Sequence, residues 1–318
     1  MLFKASFESV SLLLFMAIPG FIIAKRHMIV KEQAVSFISI LLLYVCTPFV
    51  TINSFLKQNY DPSVVINLVV VFVFVSFLII SLAYIGKMIV HVLLKKVDPE
   101  EKRMISYAGA FSNAGYMAIP FLQLLFPGDP LVLLYATAGI TAFNLVSWTF
   151  GIYLLTGDKK TMNIKKAFLN PATLSFLFVL PLYLFNINFV KFPLTGLQNT
   201  IQFFSTMVGP LAMTLVGIEL SDMNFKELFT DIKPYLSSLI RLIISPILAF
   251  CLILLISLFY DMSAVKVNLI TIAAVPSANN IMMFCSRLGK STKLPAKMVI
   301  ISTIISIITI PVALTLFT

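Results

Sequence analysis

Long apolar runs, joined by short polar connections, fill almost the whole chain. Each run has about the 20 residues that an α-helix needs to cross a bilayer. Uninterrupted Leu, Ile, Val and Phe favour helices over membrane β-strands, which alternate apolar and polar positions. The pattern therefore predicts ten membrane-spanning helices. Their expected limits are residues 6–24, 33–56, 64–92, 104–126, 131–155, 167–187, 198–220, 234–259, 267–287 and 295–317.

Composition supports an integral membrane protein. Of 318 residues, 59% are hydrophobic and only 11% are charged, which excludes a soluble globule with a polar surface. The net charge of +10 lies in short connections, so membrane lipid rather than nucleic acid is the expected partner. Cys46, Cys251 and Cys285 lie within apolar runs, where neither a disulfide nor a metal site is expected.

The basic residues predict the orientation. Seventeen of the 23 Lys and Arg residues, Lys226 among them, lie in connections that follow odd-numbered spans. The other side has only Lys4, Lys57, Lys191 and Lys266. Because basic residues near span ends stay in the cytoplasm, both termini are expected outside.

Two stretches inside apolar runs disfavour a continuous helix. The first, AGAFSNAGYMAIPF at Ala108–Phe121, contains Asn113, Gly115 and Pro120, each of which disfavours a continuous helix. The second, AAVPSANNIMMF at Ala273–Phe284, lies in the other half of the chain and contains Pro276. Backbone groups freed by unwinding need partners that lipid cannot supply, so both stretches are expected to line a cavity. Such paired interruptions indicate a transport site near the midplane.

Internal repetition divides the chain into halves. A shift of 162 residues places Pro19 on Pro181 and Pro48 on Pro210. Residues 1–157 are predicted to form a first five-helix repeat and residues 158–318 a second. An odd number of spans per repeat makes the two inverted. The expected fold is thus an all-α membrane protein.

Asn113 is the main candidate in the first interruption. Its amide can donate to a carboxylate and accept from a hydroxyl without the cost of burying a charge. The alternative is an asparagine that packs against a neighbouring backbone. Ser112, Gly115 and Tyr116 would share the same opening.

The second interruption offers Pro276, Ser277, Asn279 and Asn280. The N-terminus of a half-helix presents unpaired amides and the positive end of its dipole, so two such ends form an anion site. One of the two asparagines can serve packing instead, and the sequence does not distinguish them.

Two charged residues are candidates for coupling or gating. Glu219 either binds a proton or cation or reaches the interface together with Asp222. Arg241 lies within span eight, where it pairs with a carboxylate, draws anions inward or extends to the cytoplasmic face.

No catalytic residue, cofactor or metal is expected. The chain lacks HExxH, GxSxG and a pair of intramembrane aspartates, so an enzyme is not predicted. If transport is coupled to an ion, the expected ion is H⁺ or Na⁺.

Several segments carry a family resemblance. Asn113–Pro120 resembles the Asn-x-x-x-x-Gly-Ile-Pro segment of the auxin efflux carrier family, which includes plant PIN carriers and bacterial malate permeases. Val208–Leu220, Asn170-Pro171, Arg241–Pro246 and Ala273–Phe284 are similar to other segments that occur in the same order in the family.

The resemblance implies two inverted five-helix repeats in which spans four and nine are broken at a crossover, as in PIN carriers and bile-acid symporters. It also implies a homodimer and an elevator-type movement. Spans 3–5 and 8–10 would carry the substrate past a scaffold of spans 1, 2, 6 and 7. Asn113 matches the asparagine that contacts the substrate carboxylate. The chain departs from the family at Ala118, where glycine is common, and lacks the long cytoplasmic loop of plant carriers.

The leading hypothesis is a secondary transporter of small organic anions, such as malate or an auxin-like acid, in a bacterial cytoplasmic membrane. One alternative is a sodium-coupled symporter of a larger amphipathic anion. The other is a membrane receptor that binds the ligand without moving it.

Overall fold

The computed structural model describes residues 2–221 and 230–318, and their regular secondary structure is helical. The first half contains α1 (Leu2–Lys25), α2 (Lys31–Leu56), α3 (Pro62–Leu93), α4 (Pro99–Ala110), α5 (Ala114–Leu125) and α6 (Pro130–Thr156). The second half contains α7 (Ile164–Phe168), α8 (Pro171–Leu184), α9 (Thr195–Leu220), α10 (Ile232–Ile256), α11 (Ser263–Ala274), α12 (Asn280–Arg287) and α13 (Lys293–Phe317).

Seven helices in the described ranges, α1, α2, α3, α6, α9, α10 and α13, are long and apolar enough to cross a membrane. Helices α5, α8 and α11 are apolar but shorter. Large apolar side chains are exposed on the outer faces, such as Phe77 on α3 and Phe178 on α8, which is the surface that lipid requires. The prediction of an all-helical membrane protein is confirmed.

A recurring Asx-Pro pair explains where several helices begin. The side chain of the Asx residue accepts a hydrogen bond from the backbone N–H two residues later, and the proline occupies the first helical position, where no N–H is needed. This arrangement starts α3, α4, α6 and α8 at Asp61, Asp98, Asp129 and Asn170.

Helices α1 and α9 pack at very short range. A Cβ atom at Gly20 would overlap the carbonyl oxygen of Thr214, and one at Gly217 would overlap that of Ala17. Only glycine lets the two backbones approach so closely, as is common between membrane helices. The two helices therefore form a tightly packed pair.

Ion pairs join several of the basic connections at one end of the molecule. The ammonium of Lys233 lies 2.7 Å from the carboxylate of Glu101, and that of Lys290 lies 3.0 Å from Glu100. The connections after spans three, seven and nine thus meet at one end, although Lys226 lies outside the described residues.

Candidate functional site

The predicted fourth and ninth spans are each interrupted. Helix α4 ends at Ala110 and α5 begins at Ala114, whereas α11 ends at Ala274 and α12 begins at Asn280. The short extended segments between these helices pass each other and form one antiparallel β-bridge between Ser112 and Ser277.

Two backbone hydrogen bonds hold the segments together. The N–H of Asn113 donates to the carbonyl of Pro276 at 2.7 Å, and the N–H of Ala278 donates to the carbonyl of Phe111 at 3.0 Å. Each interruption therefore supplies partners for backbone groups that the other has freed, which is what an apolar environment demands.

Ser277 reinforces this contact. Its hydroxyl donates to the carbonyl of Ala108 at 2.8 Å, and its N–H donates to the hydroxyl of Ser302 on α13 at 3.1 Å. The second interruption thus contacts the first through Pro276 and Ser277. Both residues were predicted to bind substrate.

Arg241 binds the ends of both preceding half-helices. Its side chain is 1% exposed and donates from Nη1 to the carbonyl of Ala110 on α4 at 2.8 Å. From Nη2 it donates to the carbonyl of Ala273 on α11 at 2.6 Å and to the hydroxyl of Ser245. A guanidinium at two helix C-termini opposes the negative ends of both dipoles.

This placement corrects two of the three expectations for Arg241, namely a carboxylate partner and extension to the cytoplasmic face. In the part of the chain that the structure describes, its hydrogen bonds go to carbonyls and a hydroxyl rather than to a carboxylate. Its burial excludes extension to the cytoplasmic face in this conformation. The physical reason is that unpaired helix-terminal carbonyls attract a buried cation as a carboxylate would.

A cavity of about 40 Å³ adjoins the interruptions. Of the residues predicted to bind substrate, Ser112, Asn113, Gly115, Tyr116 and Asn280 line it. The opposite wall comes from α2, α6 and α8. The cavity is large enough for a few water molecules or a carboxylate group, but not for a whole dicarboxylic acid.

Three asparagine side chains converge on this cavity. Asn113 and Asn144 are each 5% exposed, and Asn280 is partly buried. Within residues 2–221 and 230–318, no hydrogen bond to the protein involves these three side-chain amides, and their atoms are accessible at the cavity. The three amides therefore provide hydrogen-bond donors and acceptors for a guest molecule in the cavity.

Sequence reasoning missed Asn144. It lies on α6, opposite the interruptions, and was predicted only as part of the fifth span. The available signal was a single asparagine in the apolar run AGITAFNLV, because polar residues inside spans face protein or water rather than lipid.

Two helix N-termini also border the cavity. The first backbone hydrogen bond of α5 runs from the N–H of Met117 to the carbonyl of Asn113 at 3.0 Å. In α12, the N–H groups of Ile281 and Met282 donate to the carbonyls of Ala278 and Asn279 at 3.4 and 3.0 Å. The N–H groups that precede these bonds point out of the helix, where they favour an anion. No charged side chain in the described ranges lines the cavity.

Asn279 and Asn280 have different surroundings. Asn280 lines the cavity, whereas Nδ2 of Asn279 donates to Oε2 of Glu219 at 3.1 Å. Glu219 is partly buried on α9 and does not line the cavity. Asp222, with which it was expected to reach the interface, lies outside the described residues.

Pro120 lies away from the interruption that it was predicted to cause. It occupies the second position of the regular α-helical part of α5, after a π-helical turn at Ala114–Ala118. The wider turn accommodates a proline ring, which would clash with the carbonyl four residues earlier in a regular helix. The interruption itself begins at Phe111.

The fold and the cavity define a class of protein. A bundle of membrane-length helices, with two segments interrupted at a cavity lined by asparagine amides, has the construction of a membrane transport protein.

A comparison with protein families agrees. A family model described as membrane transport protein matches residues 5–165 and 159–314, which together cover nearly all of the chain. The chain belongs to this family, the auxin efflux carrier and membrane transport protein family, as the sequence resemblance predicted. No individual curated protein matches the chain.

Proposed function

We propose that this protein is a secondary transporter of small organic anions, with a carboxylate such as malate or an auxin-like acid as substrate. The observation that supports the proposal is the convergence of three unpaired side-chain amides and two helix N-termini on one cavity. Neutral donors bind a carboxylate inside a membrane protein without the desolvation cost of a buried lysine or arginine.

Asn113 and Asn280 would bind the carboxylate from the two interruptions, and Asn144 from α6. A carboxylate accepts up to about four hydrogen bonds, so three amides and the free N–H groups of the helix ends satisfy it. Gly115 leaves open space beside the cavity, since a Cβ atom there would meet nothing within 4 Å. In a wider, substrate-bound conformation, the rest of the substrate would extend in that direction.

The proposed topology is the one that the family resemblance implies. The interrupted pairs α4–α5 and α11–α12 and the short helix α8 would complete ten spans in two inverted repeats, residues 1–157 and 158–318. Both termini would lie outside a bacterial cytoplasmic membrane, and the molecule would form a homodimer. The tight α1–α9 pair would belong to the scaffold.

The size of the cavity supports alternating access. A cavity of about 40 Å³ does not hold a whole dicarboxylic acid, so the substrate-bound conformation must be wider than this one. We propose that the segment carrying both interruptions slides as a unit against the scaffold, in an elevator-type movement.

Uptake of radiolabelled malate into proteoliposomes tests the proposal. Asn113→Ala and Asn144→Ala each remove hydrogen bonds to a charged group, worth roughly 1.5–3 kcal/mol apiece. The expected result is a loss of apparent affinity of about 10- to 100-fold. Asn199→Ala, at an exposed position on α9, is the matched control and should transport as wild type does.

The other outcomes separate the alternatives. Wild-type rates in both cavity variants, at equal protein levels, would contradict the site. Tight binding without flux would indicate a receptor, and uptake that collapses when sodium is replaced by potassium would indicate a sodium-coupled symporter. A panel of carboxylic acids in a thermal-shift assay identifies the preferred substrate, because a ligand of the folded state raises the melting temperature.

A further inference from the structure

Glu219 and Asn279 form a polar pair next to the cavity lining, since Asn280, which follows Asn279, lines the cavity. Glu219 lies near the end of α9, and Asn279 immediately precedes α12. The amide Nδ2 of Asn279 lies 3.1 Å from Oε2 of Glu219. Asn279 is only 8% exposed, and its Oδ1 atom is buried without a donor in the described part of the protein. The pair therefore contains one buried acceptor atom, Oδ1 of Asn279, that lacks a hydrogen-bond donor.

The pair can accommodate both charge states of the carboxyl group. An ionised Glu219 accepts a hydrogen bond from Nδ2, as in this structure. A protonated Glu219 has an O–H group, which can donate to Oδ1 once the amide of Asn279 has rotated by half a turn. Neither state leaves the carboxyl group without a partner, which is a requirement for a reversible proton-binding site.

Within residues 2–221 and 230–318, the ionisable groups that surround Glu219 are amines, a phenol and a thiol. On α2, Lys31 acts electrostatically on Glu219, and Cys46 acts on Tyr116 of α5, which in turn lies near Glu219. On α1, the ammonium of Lys25 donates to a backbone carbonyl at the end of α9. Amines, phenols and thiols ordinarily titrate above neutrality, whereas a carboxyl group does not.

The position of the pair connects it to the anion site. Asn279 is followed by Asn280, which lines the cavity together with Tyr116. An ionised Glu219 thus places a negative charge beside the helix N-terminus at which the carboxylate is proposed to bind. The two negative charges repel each other and compete for the same positive dipole end. Protonation of Glu219 removes this competition.

We infer that Glu219 and Asn279 form a proton-binding site linked to the anion site, so that binding of a carboxylate in the cavity draws a proton from water onto Glu219. This inference rests on the proposed function. By linkage the effect is reciprocal: a bound proton raises the affinity for the anion to the same degree that the anion raises the affinity for the proton.

Proton binding can be tested without any substrate. Infrared difference spectra of the purified protein, recorded during a pH titration, report the C=O stretch of a protonated carboxyl group. We expect a band that appears on acidification of the wild-type protein and is absent from Glu219→Gln. It should persist in Glu32→Gln, a matched control at an exposed position on α2. The inference would be overturned if acidification of the wild type produced no such band. It would also be overturned if Glu219→Gln showed the same bands as the wild type.

Linkage is tested with malate as the probe, at pH values at which malate is fully ionised. If one proton is taken up with the anion, the affinity of the wild type should rise by up to about tenfold for each unit of acidification. Glu219→Gln should bind malate with nearly constant affinity over the same series, close to the acidic limit of the wild type. Glu32→Gln should follow the wild type.

The results distinguish this inference from the proposed function. If both the wild type and Glu219→Gln bound malate tightly and with an affinity independent of pH, the linkage would be contradicted. The proposed anion site would be unaffected by that result. No binding of malate or another carboxylate at any pH would contradict the proposed function itself. The same series in choline in place of sodium tests which ion is bound. If malate affinity depended on sodium in the wild type but not in Glu219→Gln, Glu219 would belong to a cation site, and the proton assignment would be overturned.

Discussion

Arg241 is the residue whose replacement should affect the structure of the site most. It bridges the C-terminal ends of α4 and α11 through the carbonyls of Ala110 and Ala273, at 2.8 and 2.6 Å. Arg241→Met removes the charge but keeps an unbranched side chain of comparable length. The substitution therefore isolates the hydrogen bonds and the charge from simple loss of packing.

The magnitude follows from the partners left behind. Ala273 keeps one donor, because the hydroxyl of Ser245 also donates to its carbonyl at 2.9 Å. Ala110 loses the donor that Arg241 provides, and an unpaired buried carbonyl costs about 1–3 kcal/mol. Each helix dipole loses an opposing charge, worth up to about 2 kcal/mol at a partly buried end. Relief of the desolvated guanidinium offsets part of this loss, which leaves a net destabilisation of about 3 kcal/mol.

Thermal unfolding of the purified protein in detergent measures this effect. By the scaling for large domains, about 3 kcal/mol lowers the melting temperature by roughly 6–12 °C. Arg241→Lys should lie between the wild type and Arg241→Met, because one ammonium keeps the charge but not the fork that reaches two helix ends. Ser245→Ala, which removes a single hydroxyl, should cost only about 1 kcal/mol. A melting temperature in Arg241→Met equal to that of the wild type would refute the argument.

Three further predictions concern the scaffold and the cavity. Gly217→Ala should destabilise the protein by about 1–3 kcal/mol in thermal unfolding, because the added methyl group overlaps a backbone oxygen of α1. Gly196→Ala is the control on the same helix and should not destabilise the protein, because a Cβ atom there meets nothing within 4 Å. Gly115→Ala should fold normally but narrow the cavity, so competition assays should show weaker binding of malate relative to acetate; an unchanged ratio would argue against this position. Asn280→Ala should weaken malate binding at every pH, whereas Asn279→Ala should mainly flatten its pH dependence, and identical profiles for the two variants would contradict their different roles.

The sequence predicted the helical segments well where apolar runs and Asx-Pro starts coincide. The third span was predicted at residues 64–92, and the structure has Pro62–Leu93. It was less accurate where helices are interrupted: the predicted span 104–126 starts instead at Pro99 and is divided after Ala110. Pro120 was expected to interrupt the helix together with Asn113 and Gly115, yet a π-helical turn accommodates it.

The sequence by itself determined that this is a helical membrane protein with two interrupted segments, and its motifs indicated the family. In lipid, each spanning segment must satisfy its own backbone hydrogen bonds, so these properties are local and can be inferred from short stretches. Only the tertiary structure decided which polar groups meet. Asn144 joins Asn113 at the cavity, Asn279 turns to Glu219, and Arg241 binds carbonyls rather than a carboxylate. These contacts join residues far apart in the chain, and they depend on how the helices pack, which no short stretch of sequence encodes.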